Sequence, residues 1–221
     1  MWGFGPTFNF KEKQMSTDVK SKTFLNSLSA ATASVAALQT TSGAANLTLA
    51  AAAGTGAFHQ TDQACKLTIT CAADVSGVTF TVTGTDIAGN ALSEAITGPD
   101  STTVTGTKFF NTVTQIATSG TVGTNTSVGN AAGTTGGQAV LTAGRTRVRG
   151  MHITTGGTVG NISYFNTSPV TGTSLFSFQV ATTTKDYIDP YIPDDGVLFD
   201  AGAFIDIPAG TAVSVTTFFD G

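Results

Sequence analysis

Over residues 69–99, ITCAADVSGVTFTVTGTDIAGNALSEAITGP, apolar and polar residues alternate with a period of two, and this constrains the fold more than any other feature. Val78, Phe80 and Val82 interleave with Thr79, Thr81 and Thr83, so the two classes project from opposite faces of one extended segment. Gly89 and Asn90 follow, residue types that tolerate the positive φ of a chain reversal. A second extended run, 91–97, stops at Gly98-Pro99-Asp100. The stretch predicts a β-hairpin with one buried and one wet face.

The same idea recurs along the chain. Extended segments are expected at 46–52, 65–71, 78–83, 91–97, 101–107, 108–118 and 122–128. Phe110, Val113 and Ile116 break strict alternation in the sixth, which predicts a bulge or a strand that changes sheet. Seven short strands with a turn signal about every ten residues is the pattern of an immunoglobulin-like sandwich. Residues 129–138, GNAAGTTGGQ, are small, uncharged and glycine-rich, and are expected to form a linker. A second β unit follows, with runs at 145–154, 159–165, 174–181, 187–192, 197–199, 204–207 and 212–219, and a turn at Pro193-Asp194-Asp195-Gly196. The predicted fold class is therefore all-β, with two small Ig-like or jelly-roll-like sandwiches. The expected division is an N-terminal arm over 1–44, a sandwich over 45–130, a linker over 131–138 and a second sandwich over 139–221.

The arm reads differently from the rest. Trp2, Phe4, Phe8 and Phe10 are separated by Gly, Pro, Thr and Asn and cannot build a core alone. Phe24 with Leu28, and Val35 with Leu38, have weak helical spacing, but the intervening Ser and Thr are indifferent helix formers. An extended or partly helical arm is expected, its aromatics docking on a neighbouring subunit. Met15, opening MSTDVKS, reads as an alternative natural start.

Composition sharpens the class. Threonine is roughly a fifth of the chain, while charged residues are 11%, against about 25% in ordinary globular domains. A β-branched hydroxyl residue at this density gives pleated surfaces covered with OH groups rather than charges. Little charge repulsion suits a protein held permanently in an assembly. A net charge of −4 offers no field for nucleic acid. No apolar run reaches the ~20 residues of a membrane-spanning helix. The N-terminus, aromatic before its charges, lacks the apolar core of a secretory signal.

Candidate chemistry is sparse. His59 and His152 are far apart and in no catalytic signature, and the two glutamates, Glu12 and Glu94, have no carboxylate partner nearby in sequence. Cys65 and Cys71 lie about 20 Å apart along one straight strand, too far for a disulfide, and are expected as small core residues. Asp186, Asp189, Asp194, Asp195, Asp200 and Asp206 could supply oxygen ligands for Ca²⁺, but their spacing matches no calcium loop. Solvated loop carboxylates are the better reading, and neither a metal nor a cofactor is expected. Arg145, Arg147 and Arg149, the only arginines, fall on one face of a strand about 7 Å apart. Mutual repulsion predicts that they meet acids on another strand or subunit, the acidic run being the nearest candidate. With Trp2, Phe4, Phe8 and Phe10 they are the candidate subunit contacts.

The segment FTVTGTDIAGNALSEAITGPDSTTVTGTKFFNTVTQI, with Ser127-Val128-Gly129 after it, resembles a recurring module of tailed-phage structural proteins. The shared pattern is a strand ending in TGTD, a Gly-Asn turn, a strand ending in TGP and a later aromatic-x-T-V-x-x-I stretch. The C-terminal half is similar to a second phage module. There an arginine-rich strand precedes a Y-I-D-x-x-I-P-D-x-G-[VI]-L-F segment, here residues 187–199, and a closing apolar strand, here 213–219. The resemblance covers most of residues 45–221 and implies a non-enzymatic virion structural protein with no catalytic residues. A capsid decoration or cement protein, homo-oligomeric with a trimer as one form, bound to the major capsid protein at the virion surface, is the leading expectation. A tail fibre, knob or adaptor component is the alternative, with tail proteins as partners. A carbohydrate-binding adhesin is a third class, for which only Tyr164, Tyr187, Tyr191 and Trp2 offer aromatic platforms.

Overall fold

The structure is a computed structural model and describes residues 18–25, 28–50, 63–157, 160–180, 187–188, 190–210 and 213–220. The described residues are all-β, with eighteen strands in four antiparallel sheets and one short 3-10 turn, Gly133–Thr135. The aromatics Trp2, Phe4, Phe8 and Phe10, the alternative start Met15, and also His59, Asp186 and Asp189, lie outside the described residues.

Two of the sheets stack as one sandwich. The first has the order β2 (Ala31–Thr41), β10 (Val122–Asn130), β5 (Leu67–Thr70), β8 (Thr103–Thr105). Its partner runs β3 (Ala45–Asn46), β9 (Thr112–Thr118), β6 (Thr79–Thr85), β7 (Ala91–Thr97). The predicted hairpin is β6 with β7, in register from Thr79↔Thr97 to Thr85↔Ala91. Phe80, Val82, Leu92 and Ile96 turn inward and meet Leu67, Ile69 and Val128 of the other sheet. The irregular spacing in β9 is a bulge: pairing to β6 shifts between Gln115 and Val113, leaving Thr114 as the extra residue. At that step Gly84 is obligatory, because a Cβ there would sit 1.9 Å from the Thr112 carbonyl oxygen.

The other two sheets form the second sandwich. One has the order β1 (Val19–Leu25), β18 (Ser214–Asp220), β12 (Thr146–Thr154), β15 (Tyr187–Ile188), with β16 (Val197–Phe199) also on β12. Opposite it lie β14 (Ser174–Val180), β13 (Gly160–Phe165), β17 (Ala203–Ile207), β11 (Gly137–Thr142) and β4 (Gln63–Ala64). Its core holds Phe24, Val148, Met151, Ile153 and Val215 from one sheet against Leu141, Ile162, Tyr164 and Ile205 from the other. Tyr164 stacks on Phe176 with ring centroids 4.6 Å apart, and its buried hydroxyl is 2.7 Å from Thr217 Oγ1.

The chain does not build these sandwiches one after the other. Where the sequence suggested an arm, the described part is extended: β1 is a strand of the second sandwich and β2 of the first. Seven residues of β1 pair with β18, and Phe24 is buried in the second core. The chain then crosses to β2 and β3, returns to the second sandwich at β4, and re-enters the first at β5. Alternation could not announce this, because β4 is two residues long and β1 (VKSKTFL) carries one buried side chain.

The glycine-rich stretch 129–138 is an ordered junction rather than a loose tether. β10 runs through Asn130, Ala131 is buried, and β11 begins at Gly137. Gly129 passes so close to β2 that a Cβ would lie 1.6 Å from the Ala31 carbonyl oxygen. Gly136 adopts φ of +96°, open to glycine and strained for other residues. Small residues are used here for close backbone approach. Of the strand expected at 46–52, the described residues form only the short β3, Ala45–Asn46, with Leu47 buried beyond it.

Candidate functional site

The tip of the hairpin is where the polar chemistry of the chain converges. After β6 the chain must reverse, and Asp86 organises that reversal. Its Oδ1 accepts from the backbone N–H groups of Ala88 (2.9 Å) and Asn90 (2.8 Å), and its Oδ2 from Asn90 Nδ2 at 3.2 Å. This is the local Asx geometry that suits Asp at a turn. Asp86 is nevertheless 2% exposed, because the second sandwich closes over it. Ser168, in the segment between β13 and β14, donates a short hydrogen bond to Asp86 Oδ2. Ile87 and Ala88 at the same tip pack with Phe109 against Phe204, Val140 and Phe165, which lie on the outer side of the second sandwich.

A second polar group lies at the same junction. Lys66 is 5.1 Å from the Phe109 ring centroid and attracts Asp206 electrostatically. Asp206 sits opposite Gln138 in the β11–β17 pairing and accepts a hydrogen bond from its side chain. Burial dominates and raises the Asp206 pKa, while Gln138 and Lys66 pull it down. Gln138 Oε1 is buried without a hydrogen-bond partner. The junction thus combines a small apolar patch with two carboxylates from different halves of the chain.

The arginines are combed into the second sandwich. Arg149 is the extra residue of a bulge in β12, since pairing to β18 shifts between Val148 and Gly150. Its Nε and Nη2 lie 2.6 Å and 2.5 Å from Asp220 Oδ2, and its Nη1 donates to the Asp194 carbonyl at 2.9 Å. The bond to Asp220 raises the Arg149 pKa. Arg147 donates to the Asp195 carbonyl at 2.9 Å, and exposed Arg145 meets exposed Asp200 at 3.4 Å. Asp194 and Asp195 receive arginine through their backbones, in the turn closed by Gly196 N–H to the Pro193 carbonyl. Of the acidic run, Asp200 alone among the described residues meets an arginine through its carboxylate, while the carboxylate that pairs with Arg149 is Asp220, outside that run.

Glu94 is a buried carboxylate on the inward face of β7. It accepts from Thr107 N–H (2.6 Å), Thr107 Oγ1 (2.7 Å) and Lys108 N–H (3.2 Å), and so fixes the loop before β9. Cys65 and Cys71 are buried thiols outside any disulfide, and burial pushes the Cys65 pKa up to about 12. Among the described residues no group of three or more His, Cys, Asp or Glu could hold a metal ion. A cleft lined by Leu25, Leu28, Gln138 and Ile207 has room for roughly one water molecule, where small-molecule sites occupy ~300 Å³ or more.

Sequence reasoning found Asp86 as part of a motif and the arginines as a cluster needing acids. It missed Ser168 and Asp206 as junction residues, because both act across the fold. The local signal for Asp206 was a charge inside the apolar run AFIDI, whereas Ser168, in the polar stretch NTSPVTGTS, carried none. No family model, curated protein or solved structure matches the chain.

Proposed function

We propose that the chain is a non-enzymatic structural protein of a tailed-phage particle, acting as a capsid decoration or cement protein on the head. The observation that carries this reading is the use made of the motif residues. Asp86, which ends the TGTD element, fastens the first sandwich to the second. The Pro193-to-Gly196 turn of the C-terminal motif is the seat of Arg147 and Arg149. Residues that resemble phage modules are engaged in holding a two-sandwich block together. The outward positions of its sheets are rich in threonine and serine, as in the paired hydroxyls of Thr23 with Thr216 and Thr70 with Thr103. Such faces favour assembly by shape and hydrogen bonding, with little charge to oppose close packing.

Partners in this reading are the major capsid protein and further copies of the chain. Its test is location on the particle: the protein should co-purify with tail-less heads. Recovery with tails alone would replace the decoration role with a tail role, and recovery with neither would remove the virion assignment.

A further inference from the structure

The outermost strand of a sheet leaves a row of backbone N–H and C=O groups without ladder partners, and folded proteins blunt such edges. Most edges of this fold are blunted. β3, β4, β8, β15 and β16 are only two or three residues long. β1 carries Lys20 and Lys22. Along β2, the Gln39 side chain exchanges hydrogen bonds with the Thr48 backbone (2.8 and 2.9 Å), and Ala50 N–H donates to the Val35 carbonyl at 2.9 Å. On β7, Lys108 Nζ caps the Ser93 carbonyl at 2.7 Å. The outermost strand β14 (SLFSFQV) is the exception, with seven residues, no charge and no proline. Among the described residues its backbone bonds only to β13, and the next strand in sequence, β15, pairs with β12 in the opposite sheet.

The inward side chains of β14 register the open edge. Phe176 and Phe178 pack against the second core, Phe176 stacked on Tyr164 and meeting Phe178 edge-on at 5.4 Å. Both rings remain half-buried, whereas Ile162 and Tyr164 on the adjacent β13 are fully buried. One more strand beyond β14 would cover them. The strand also matches itself. Its pairing to β13 shifts between Tyr164 and Phe165, which leaves Leu175 as a bulge and residues 176–180 as the regular run. Two such runs placed antiparallel about Phe178 set Phe176 of each copy opposite Val180 of the other on the core side. Ser177 then stands opposite Gln179 on the outer side, hydroxyl against amide.

We propose that β14 pairs antiparallel with β14 of a second copy across a two-fold axis at Phe178, joining the two sheets into one continuous sheet. This deepens the assembly role proposed above and rests on its homo-oligomeric part. The test uses the isolated protein, so it can fail while the particle assignment stands, and the reverse. Five paired residues make a small contact, so the dimer should form at high protein concentration and dissociate on dilution.

Sedimentation equilibrium should show twice the chain mass at high concentration. Ser177→Lys combined with Gln179→Lys puts like charges directly opposite each other at exposed, outward positions. It should weaken the dimer at least tenfold with unchanged far-UV circular dichroism. Cysteine variants report the register, and serve alone if the lysine variant fails to fold. A mixture of Ser177→Cys and Gln179→Cys chains should cross-link under mild oxidation several-fold faster than either variant by itself, whose thiols stand on a diagonal. The wild-type chain, with both cysteines buried, is the blank. A monomer at every concentration would overturn the proposal and leave the edge to a segment of its own chain. A dimer indifferent to the lysines, or a mixture that cross-links no faster than the pure variants, would overturn it by placing the contact elsewhere.

Discussion

Asp86 combines two roles that a single carboxylate seldom holds: it shapes a tight turn and accepts a bond from a distant segment. The turn role was readable, because Asp before Ile-Ala-Gly-Asn is a local pattern. The clasp was not, because Ser168 lies 82 residues away and shares no period with it. Asp86→Ala leaves the buried Ser168 hydroxyl and the part-buried turn amides of Ala88 and Asn90 without their acceptor. It should cost about 3 kcal/mol in equilibrium urea unfolding. Ser168→Ala removes one of four donors and should cost about 1 kcal/mol. Equal losses would show that the inter-sandwich bond, and not the turn, dominates. Asp206 makes the opposite prediction. Its folded pKa lies above the ordinary carboxylate value, so its contribution is most favourable below about pH 3.8, the unperturbed value, and is lost as pH rises through the folded pKa. Asp206→Asn should therefore raise the urea midpoint at pH 7 and leave it unchanged at pH 3. A lower midpoint at pH 7 would mean that Lys66 outweighs burial.

Among the strands, legibility followed alternation. The segments that became β6, β7, β13, β14 and β18 put apolar side chains at most alternate positions, and their places were readable to within a few residues. In β1 the inward positions include Lys20 and Lys22, which hides the strand from a hydrophobic pattern. Lys22 keeps its charge usable by donating to the Val140 carbonyl at 3.0 Å, with its ammonium 5.4 Å from the Phe24 ring. Phe24 is the anchor of the strand, 2% exposed within the second core. Phe24→Ala should cost about 3–5 kcal/mol, the usual range for a buried aromatic reduced to alanine. Removal of residues 1–17 keeps β1 intact and should leave the thermal midpoint within a few degrees of the full chain. Deletion through residue 44 would remove β1 and β2 together and so test the fold, not an arm. A loss below 1 kcal/mol for Phe24→Ala would show that β1 is a dispensable edge.

At the scale of the molecule, the two sandwiches are tied by chain crossings, by the hairpin tip over Phe204, and by Asp86 with Ser168. Composition had already pointed to a low-charge, hydroxyl-covered β protein, since threonine density fixes surface character whatever the topology. Topology was hidden because a crossing between sheets leaves no periodic trace when the strand involved is two residues long, as β4 is. Decoration of a phage head by this block, as proposed, has a direct consequence for the particle surface. Cryo-EM of tail-less heads with and without the protein tests it most directly. The expected result is ordered density at joints between major capsid subunits, fitted by the two sandwiches and absent from heads that lack the protein. Heads with identical surfaces in the two preparations would contradict it.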